Sequence, residues 1–161
     1  RLDILVANAG VLGPLTPVSH IDPAEWDEVM AINLTANYRL IRAIEPLLRL
    51  SDAGRAIFVT SGAADGKHAY WGPYAASKGG LEVLVGTWAA ELANTNVRVN
   101  LINPGGTRTR MRAQAFPGEN PAVLPPPEDV APAFLALAEA SCKLHGARIE
   151  AREALALKRS G

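Results

Sequence analysis

Three short apolar runs constrain this chain most: residues 2–7, 55–60 and 97–102. Each is too short and too continuously apolar to be a half-exposed alternating strand, and each reads as a strand covered on both faces. Each ends in small or polar residues: Asn8-Ala9-Gly10, Ser61-Gly62, and Asn103-Pro104-Gly105-Gly106-Thr107. Longer helical patterns separate them. Strands alternating with helices imply an α/β fold, a parallel sheet with helices on both faces. In such sheets ligands sit beyond the carboxyl ends of the strands. All three turns fall there, so a single site on one rim is expected.

The first helical pattern opens at Asp22-Pro23-Ala24-Glu25, which offers an N-cap, proline in the first turn and an early carboxylate. It runs to about residue 50, with a bend expected near Asn33 and a kink or end at Pro46. Pro73 opens a second helix, expected over 74–93 and stopped by Asn94-Thr95-Asn96. Its Ala, Gly and Ser content allows close packing on a neighbour. The Pro-rich segment 108–127 reads as mostly irregular, with the length of a substrate-binding loop or lid. Met111 and Phe116 are candidates there for an apolar pocket or for packing anchors. A helix is expected over 127–140, a weak fourth strand over 147–151, and a polar, fraying tail over 152–161. No linker divides the chain, so residues 1–161 read as one domain.

Composition removes several classes of function. Sixteen basic residues balance sixteen acidic ones, so nothing electrostatic favours nucleic acid or an anionic membrane. No apolar run approaches the roughly 20 residues of a membrane span. The single cysteine, Cys142, excludes an intrachain disulfide and suits a reducing, cytoplasmic compartment. His20, His68 and His145 lack metal-ligand spacing, and no metal is expected. A G-x-S-x-G elbow and a Walker loop are both absent, against a hydrolase and an NTPase.

The chemistry concentrates in residues 60–80. Tyr74 and Lys78 are one turn apart on one helical face, beside the loop carrying Ser61. A free tyrosine, with a pKa of about 10, is a poor base at neutral pH. A nearby ammonium favours the phenolate and is expected to lower that pKa. Ser61 is placed to hold a substrate oxygen. The trio suits proton transfer to or from an alcohol or carbonyl. His68, Tyr70 and Trp71, between Ser61 and Tyr74, are candidates for substrate contact.

Taken together, Asn8-Ala9-Gly10, Asn33, Ser61, Tyr74-Ala75-Ala76-Ser77-Lys78, Val97-Arg98-Val99-Asn100, Asn103-Pro104-Gly105 and Thr109 resemble the short-chain dehydrogenase/reductase family in order and spacing. Residues 103–116 further resemble a bacterial subgroup. The resemblance implies a Rossmann-like doubly wound sheet and an NAD- or NADP-dependent oxidoreductase that interconverts an alcohol and a carbonyl. It implies Tyr74 as general acid in reduction and base in oxidation. Lys78 would lower the Tyr74 pKa and hold the nicotinamide ribose, Ser61 would orient the substrate, and Asn33 would anchor a water in a proton relay. Asn8 would stabilise the sheet, and Ala9 and Gly10 would let the cofactor pass. Pro104, Gly105, Thr107 and Thr109 would surround the nicotinamide, with Thr109 bonding its carboxamide. Subunits of the family commonly pair through the helices that match 25–50 and 73–93, which implies a homo-oligomer.

The chain departs from that pattern in one large respect. The family's T-G-x-x-x-G-x-G turn, which holds pyrophosphate on a helix N-terminus, has no match here. Residues 2–7 match the family's fourth strand, so the chain reads as the C-terminal portion of the fold, with an apolar edge strand. NAD-versus-NADP choice is then not readable. A competing expectation is a catalytically inactive association module acting through its helix pair.

Overall fold

The computed structural model describes residues 1–157. Four parallel strands form one sheet in chain order: β1 (Ile4–Ala7), β2 (Arg55–Val59), β3 (Arg98–Asn103) and β4 (Arg148–Glu150). Ile4 pairs with Arg55, Arg55 with Arg98, and Leu101 with Arg148. All of β2 is buried because both of its faces are covered. Ala56 and Phe58 meet α2 (Ala36–Arg49) and α3 (Gly72–Glu91) through Ile41, Leu48, Leu81, Val85 and Trp88. Ile57 and Val59 meet α5 (Pro127–Ala138) and α6 (Ala151–Leu157) through Val130, Ala133, Leu137 and Ala154. The expected sheet with helices on both faces is therefore present. The edge strand β1 leaves Ile4 and Val6 exposed, at 47% and 44%. No helix among the described residues is long and apolar enough to cross a membrane.

The bend expected near Asn33 is a π-helical segment, Ala31–Thr35, set between α1 (Pro23–Met30) and α2. Asp22 caps α1, its carboxylate accepting from Ala24 N at 2.8 Å. Pro46 does not end α2, which continues to Arg49. Glu45 ties α2 to α3 by accepting from Trp88 Nε1 at 2.7 Å, and the Trp88 ring stands edge-on to Phe58. His145 joins α3 to β3: its Nδ1 accepts from Val99 N, which makes Nε2 the donor to Ala89 O at 2.8 Å.

Two expectations need correction. The 108–127 segment is not mostly irregular: it holds α4 (Arg110–Ala115) and a 3-10 turn at Pro121–Val123. Both start on local caps, Thr109 Oγ1 accepting from Arg112 N and Asn120 Oδ1 from Ala122 N, which helical periodicity does not reveal. The tail expected to fray instead forms α6 over Ala151–Leu157, because Ala151, Ala154 and Leu155 make an apolar stripe against α5. Residues 158–161 of that expectation lie outside the described residues.

Arg55 is a cation in the core, 4% exposed. It donates to the carbonyls of Gly54, Glu139, Ala140 and Cys142, closing the C-terminal end of α5 onto the start of β2. Burial pulls its pKa below the ordinary arginine value. Arg55→Met would remove the side-chain donor from those carbonyls, though Gly54 O keeps Arg98 N and Glu139 O keeps Cys142 N, and a loss of about 2 kcal/mol is expected in denaturant unfolding. A change near zero would mean that water replaces the guanidinium freely.

Candidate active site

The carboxyl ends of β1, β2 and β3 open onto one cavity of about 410 Å³. Its reacting end is set by α3. Tyr74, Lys78, Leu81, Val85 and Trp88 make the buried stripe of that helix, so the tyrosine and lysine lie on its inward face rather than a solvated one. Tyr74 is 8% exposed and Lys78 3%. Ser61 lies just past β2 and caps a 3-10 turn at Gly62–Asp65, its Oγ accepting from Ala63 N at 3.2 Å. Ser61 and Tyr74 line the same cavity, and the Ser61 side chain favours the ionised form of Tyr74.

The electrostatics differ from the sequence expectation. Burial raises the Tyr74 pKa above the ordinary phenol value, and the Ser61 side chain opposes this only in part. Burial likewise pulls the Lys78 ammonium down to about 8. Lys78 Nζ stands 5.9 Å from the centre of the Tyr74 ring and donates to Val59 O at 2.8 Å. The expected lowering of Tyr74 by Lys78 is therefore not what governs this site: desolvation outweighs it.

Asn33 is fully buried behind the cavity rather than on its lining. Its side chain clamps the main chain after β1, accepting from Val11 N and donating to Val11 O, both at 2.9 Å. It also donates to Ser77 Oγ at 3.0 Å. The Asn33 carbonyl, which the π-helical turn frees, accepts from Asn37 Nδ2 at 2.8 Å. The irregularity thus positions the 10–11 backbone beside α3. Asn8 is exposed where β1 ends, and it lines the cavity together with Ala9 and Gly10.

On the opposite side, Asn103 shapes the turn after β3. Its Oδ1 accepts from Gly105 N at 3.1 Å, and its Nδ2 donates to Glu150 Oε2 at 2.8 Å. Gly105 has φ 73°, which suits glycine. Pro104, Gly105, Thr107 and Thr109 all line the cavity. Thr109 is partly committed, since its hydroxyl caps α4. Arg148 braces the same rim: it donates to Glu82 Oε1 at 2.7 Å, to Glu150 Oε1 at 2.9 Å and to Ser61 O at 3.3 Å.

Sequence reasoning placed Trp71, Met111 and Phe116 as candidates, and all three line the cavity. It missed Leu12 and Arg112 and gave no role to Asn103 within its turn. Asn103 carried a signal, an Asx side chain before Pro-Gly. Leu12 and Arg112 lie in loop and short-helix contexts without one. His68 and Tyr70 fall on neighbouring hollows instead. Among the described residues no cluster could hold a metal ion.

The cavity suits a flat, polar ring group against backbone. A Cβ on Gly10 would lie 3.3 Å from Asn33 Oδ1 and 3.5 Å from Lys78 Nζ, so a side chain there would crowd that cradle. Gly105 faces open space. The nicotinamide end of a dinucleotide fits these residues. The described residues supply no glycine-rich turn for its diphosphate, and beside them lies the open edge of β1.

The short chain dehydrogenase family model matches residues 1–120. The chain is 46% identical over 135 residues to Uncharacterized oxidoreductase YciK of Escherichia coli (strain K12), covering 84% of this chain and 53% of that protein. It is 41% identical over 112 residues to an uncharacterized NAD-dependent oxidoreductase of Mycobacterium tuberculosis, covering 69% and 40%. A Shigella flexneri 2a structure complexed with NADP superposes with TM-score 0.89 at 44% identity, covering 94% of this chain and 64% of that one. The chain spans about half the length of the curated relatives it matches. With its parallel sheet and with Ser61, Tyr74 and Lys78 at one rim, the chain belongs to the short-chain dehydrogenase family.

Proposed function

We propose that this cavity is the alcohol/carbonyl end of an NAD(P)-dependent oxidoreductase, with Tyr74 as the proton donor and acceptor. The observation that carries the reading is a buried tyrosine that lines one cavity together with Ser61, Lys78 and the Gly10 and Gly105 backbone. The bound cofactor supplies hydride. Ser61 donates to and orients the substrate oxygen. Tyr74, held protonated by burial, gives its proton to that oxygen during reduction and takes one back during oxidation. Lys78 stays cationic below about pH 8 and supplies positive charge next to the ribose and the phenol. Asn33 acts through Val11, holding the 10–11 backbone in place. Thr107 and Thr109 flank the nicotinamide, and segment 108–127 serves as the substrate-binding loop. The choice of NAD or NADP is open on this chain, since its relatives are named for both.

The reading extends to a single domain over 1–161, cytoplasmic and homo-oligomeric. A free Cys142 supports the compartment. Exposed Tyr38, Leu47 and Val83 on α2 and α3 support association through the helix pair. A second reading, a non-catalytic association module, is favoured by the apolar open edge at Ile4 and Val6.

The test is consumption of NADPH or NADH by the chain with benzaldehyde as probe. Turnover is expected, and Ser61→Ala should cut it by about a hundredfold. A folded, self-associating chain without turnover favours the second reading, and turnover indifferent to Ser61→Ala contradicts the first.

A further inference from the structure

Part of the cavity lining is aromatic and carries one ion pair. The rings of Trp71 and Phe116 lie 5.7 Å apart, and Leu12, Met111 and Ala115 complete that surface. Arg112 lies with its guanidinium carbon 3.8 Å from the centre of the Phe116 ring. Its Nε and Nη2 donate to Glu119 Oε2 and Oε1 at 2.6 and 2.7 Å. That bidentate pairing uses Nε and Nη2 and matches the guanidinium's charge with a carboxylate. The pair spans from α4 to the loop after it, so it also holds Phe116 over the cavity. Arg112 is only 29% exposed at its side chain and Glu119 27%, so solvent screens the pair in part.

We propose that the Arg112–Glu119 pair sets the substrate class: the cavity takes an uncharged, ring-bearing alcohol or carbonyl compound and discriminates against one that carries its own carboxylate. The inference rests on the proposed reading only in treating the cavity as the substrate's. An uncharged ring packs on the apolar surface that Leu12, Trp71, Met111 and Phe116 present, without displacing the ion pair. A carboxylate at that end meets a guanidinium whose charge Glu119 already balances, so it leaves water for no net attraction. Glu119 is thus a specificity residue, and removing its charge opens Arg112 to anions. Lys78, the other cation lining the cavity, lies at the reacting end and is unchanged in every comparison below.

The test is binding, which needs neither cofactor nor turnover. The ¹⁵N-labelled chain has three tryptophan indoles, with Trp26 and Trp88 as internal references for the fold. The Trp71 indole signal is followed while 4-(hydroxymethyl)benzamide or 4-(hydroxymethyl)benzoate is added. The amide is expected to shift Trp71 and to bind at least about tenfold tighter than the carboxylate. Glu119→Gln should reverse the order, and Glu119→Asp, which keeps the charge, should retain it. Equal or tighter binding of the carboxylate by the unmodified chain overturns the proposal. So does a preference that Glu119→Gln leaves unchanged, or an amide that leaves Trp71 unmoved. If the binding order holds while Tyr74 proves dispensable for turnover, the mechanism fails and the substrate class stands.

Discussion

Tyr74→Phe is expected to lower hydride-coupled turnover by about a thousandfold and to leave the fold intact. The phenylalanine ring keeps the edge contact with Trp71 at 5.7 Å and the burial of the helix face. What is lost is one hydroxyl beside Ser61, worth about 1 kcal/mol of stability at most. The pH dependence follows from the direction of the shift. Burial holds the Tyr74 pKa above the ordinary value of 10.0, so the hydroxyl stays protonated across neutral pH. Carbonyl reduction, which consumes that proton, therefore has its Tyr74 form fully available at pH 7. Alcohol oxidation needs the phenolate, and its rate should rise with pH throughout the range below that raised value. Oxidation that peaks at neutral pH would mean that bound ligands reverse the desolvation, or that another group accepts the proton. Substantial turnover by the phenylalanine variant would remove Tyr74 from proton transfer altogether.

Lys78→Met is expected to abolish turnover and, at pH 7, to stabilise the chain by about 2 kcal/mol. The lysine pKa falls from 10.5 to about 8 on folding because its ammonium is buried. Between those values the unfolded chain binds more protons than the folded one, so stability rises with pH across that window. Below about 8 the whole burial penalty stands, about 3 kcal/mol. Methionine removes it and matches the apolar stem, but leaves Val59 O without its 2.8 Å donor, which takes back about 1 kcal/mol. Urea unfolding at pH 7 and pH 10 should show the advantage of the variant shrinking at the higher pH. A variant less stable than the parent at both would mean that the contacts of the ammonium outweigh its desolvation. A lysine kept at such a penalty is itself an argument for function.

These expectations depend on geometry that was only partly legible in the chain. The parallel sheet could be read because covered strands are continuous apolar runs, as in Ala56-Ile57-Phe58-Val59, and because each ends in a turn of small residues. The bend at Asn33 was legible from the family pattern, but its physical use was not. The clamp on Val11 joins residues 22 apart, and no local period reports such a contact. The inward direction of Tyr74 and Lys78 follows from the 74–78–81–85–88 stripe, which was present in the sequence and outweighs a surface reading. Desolvation could not be read at all, because it depends on how α3 packs on the sheet. The Lys78 expectation consequently placed the two groups side by side but named an effect that burial outweighs. Helix α4 and the Arg112–Glu119 pair were hidden for a different reason: both are made by caps and side chains within a Pro-rich segment that has no apolar repeat.

The most direct measurement is a titration of reduced nicotinamide mononucleotide into this chain, followed by nicotinamide fluorescence. On the proposed reading that molecule needs only Gly10, Tyr74, Lys78 and the Pro104-Gly105 turn, all of which line the cavity. Saturable binding, lost in the folded Lys78→Met variant, is the predicted result. A folded chain that does not bind it, or binding that survives Lys78→Met unchanged, would contradict the assignment of this rim to the nicotinamide.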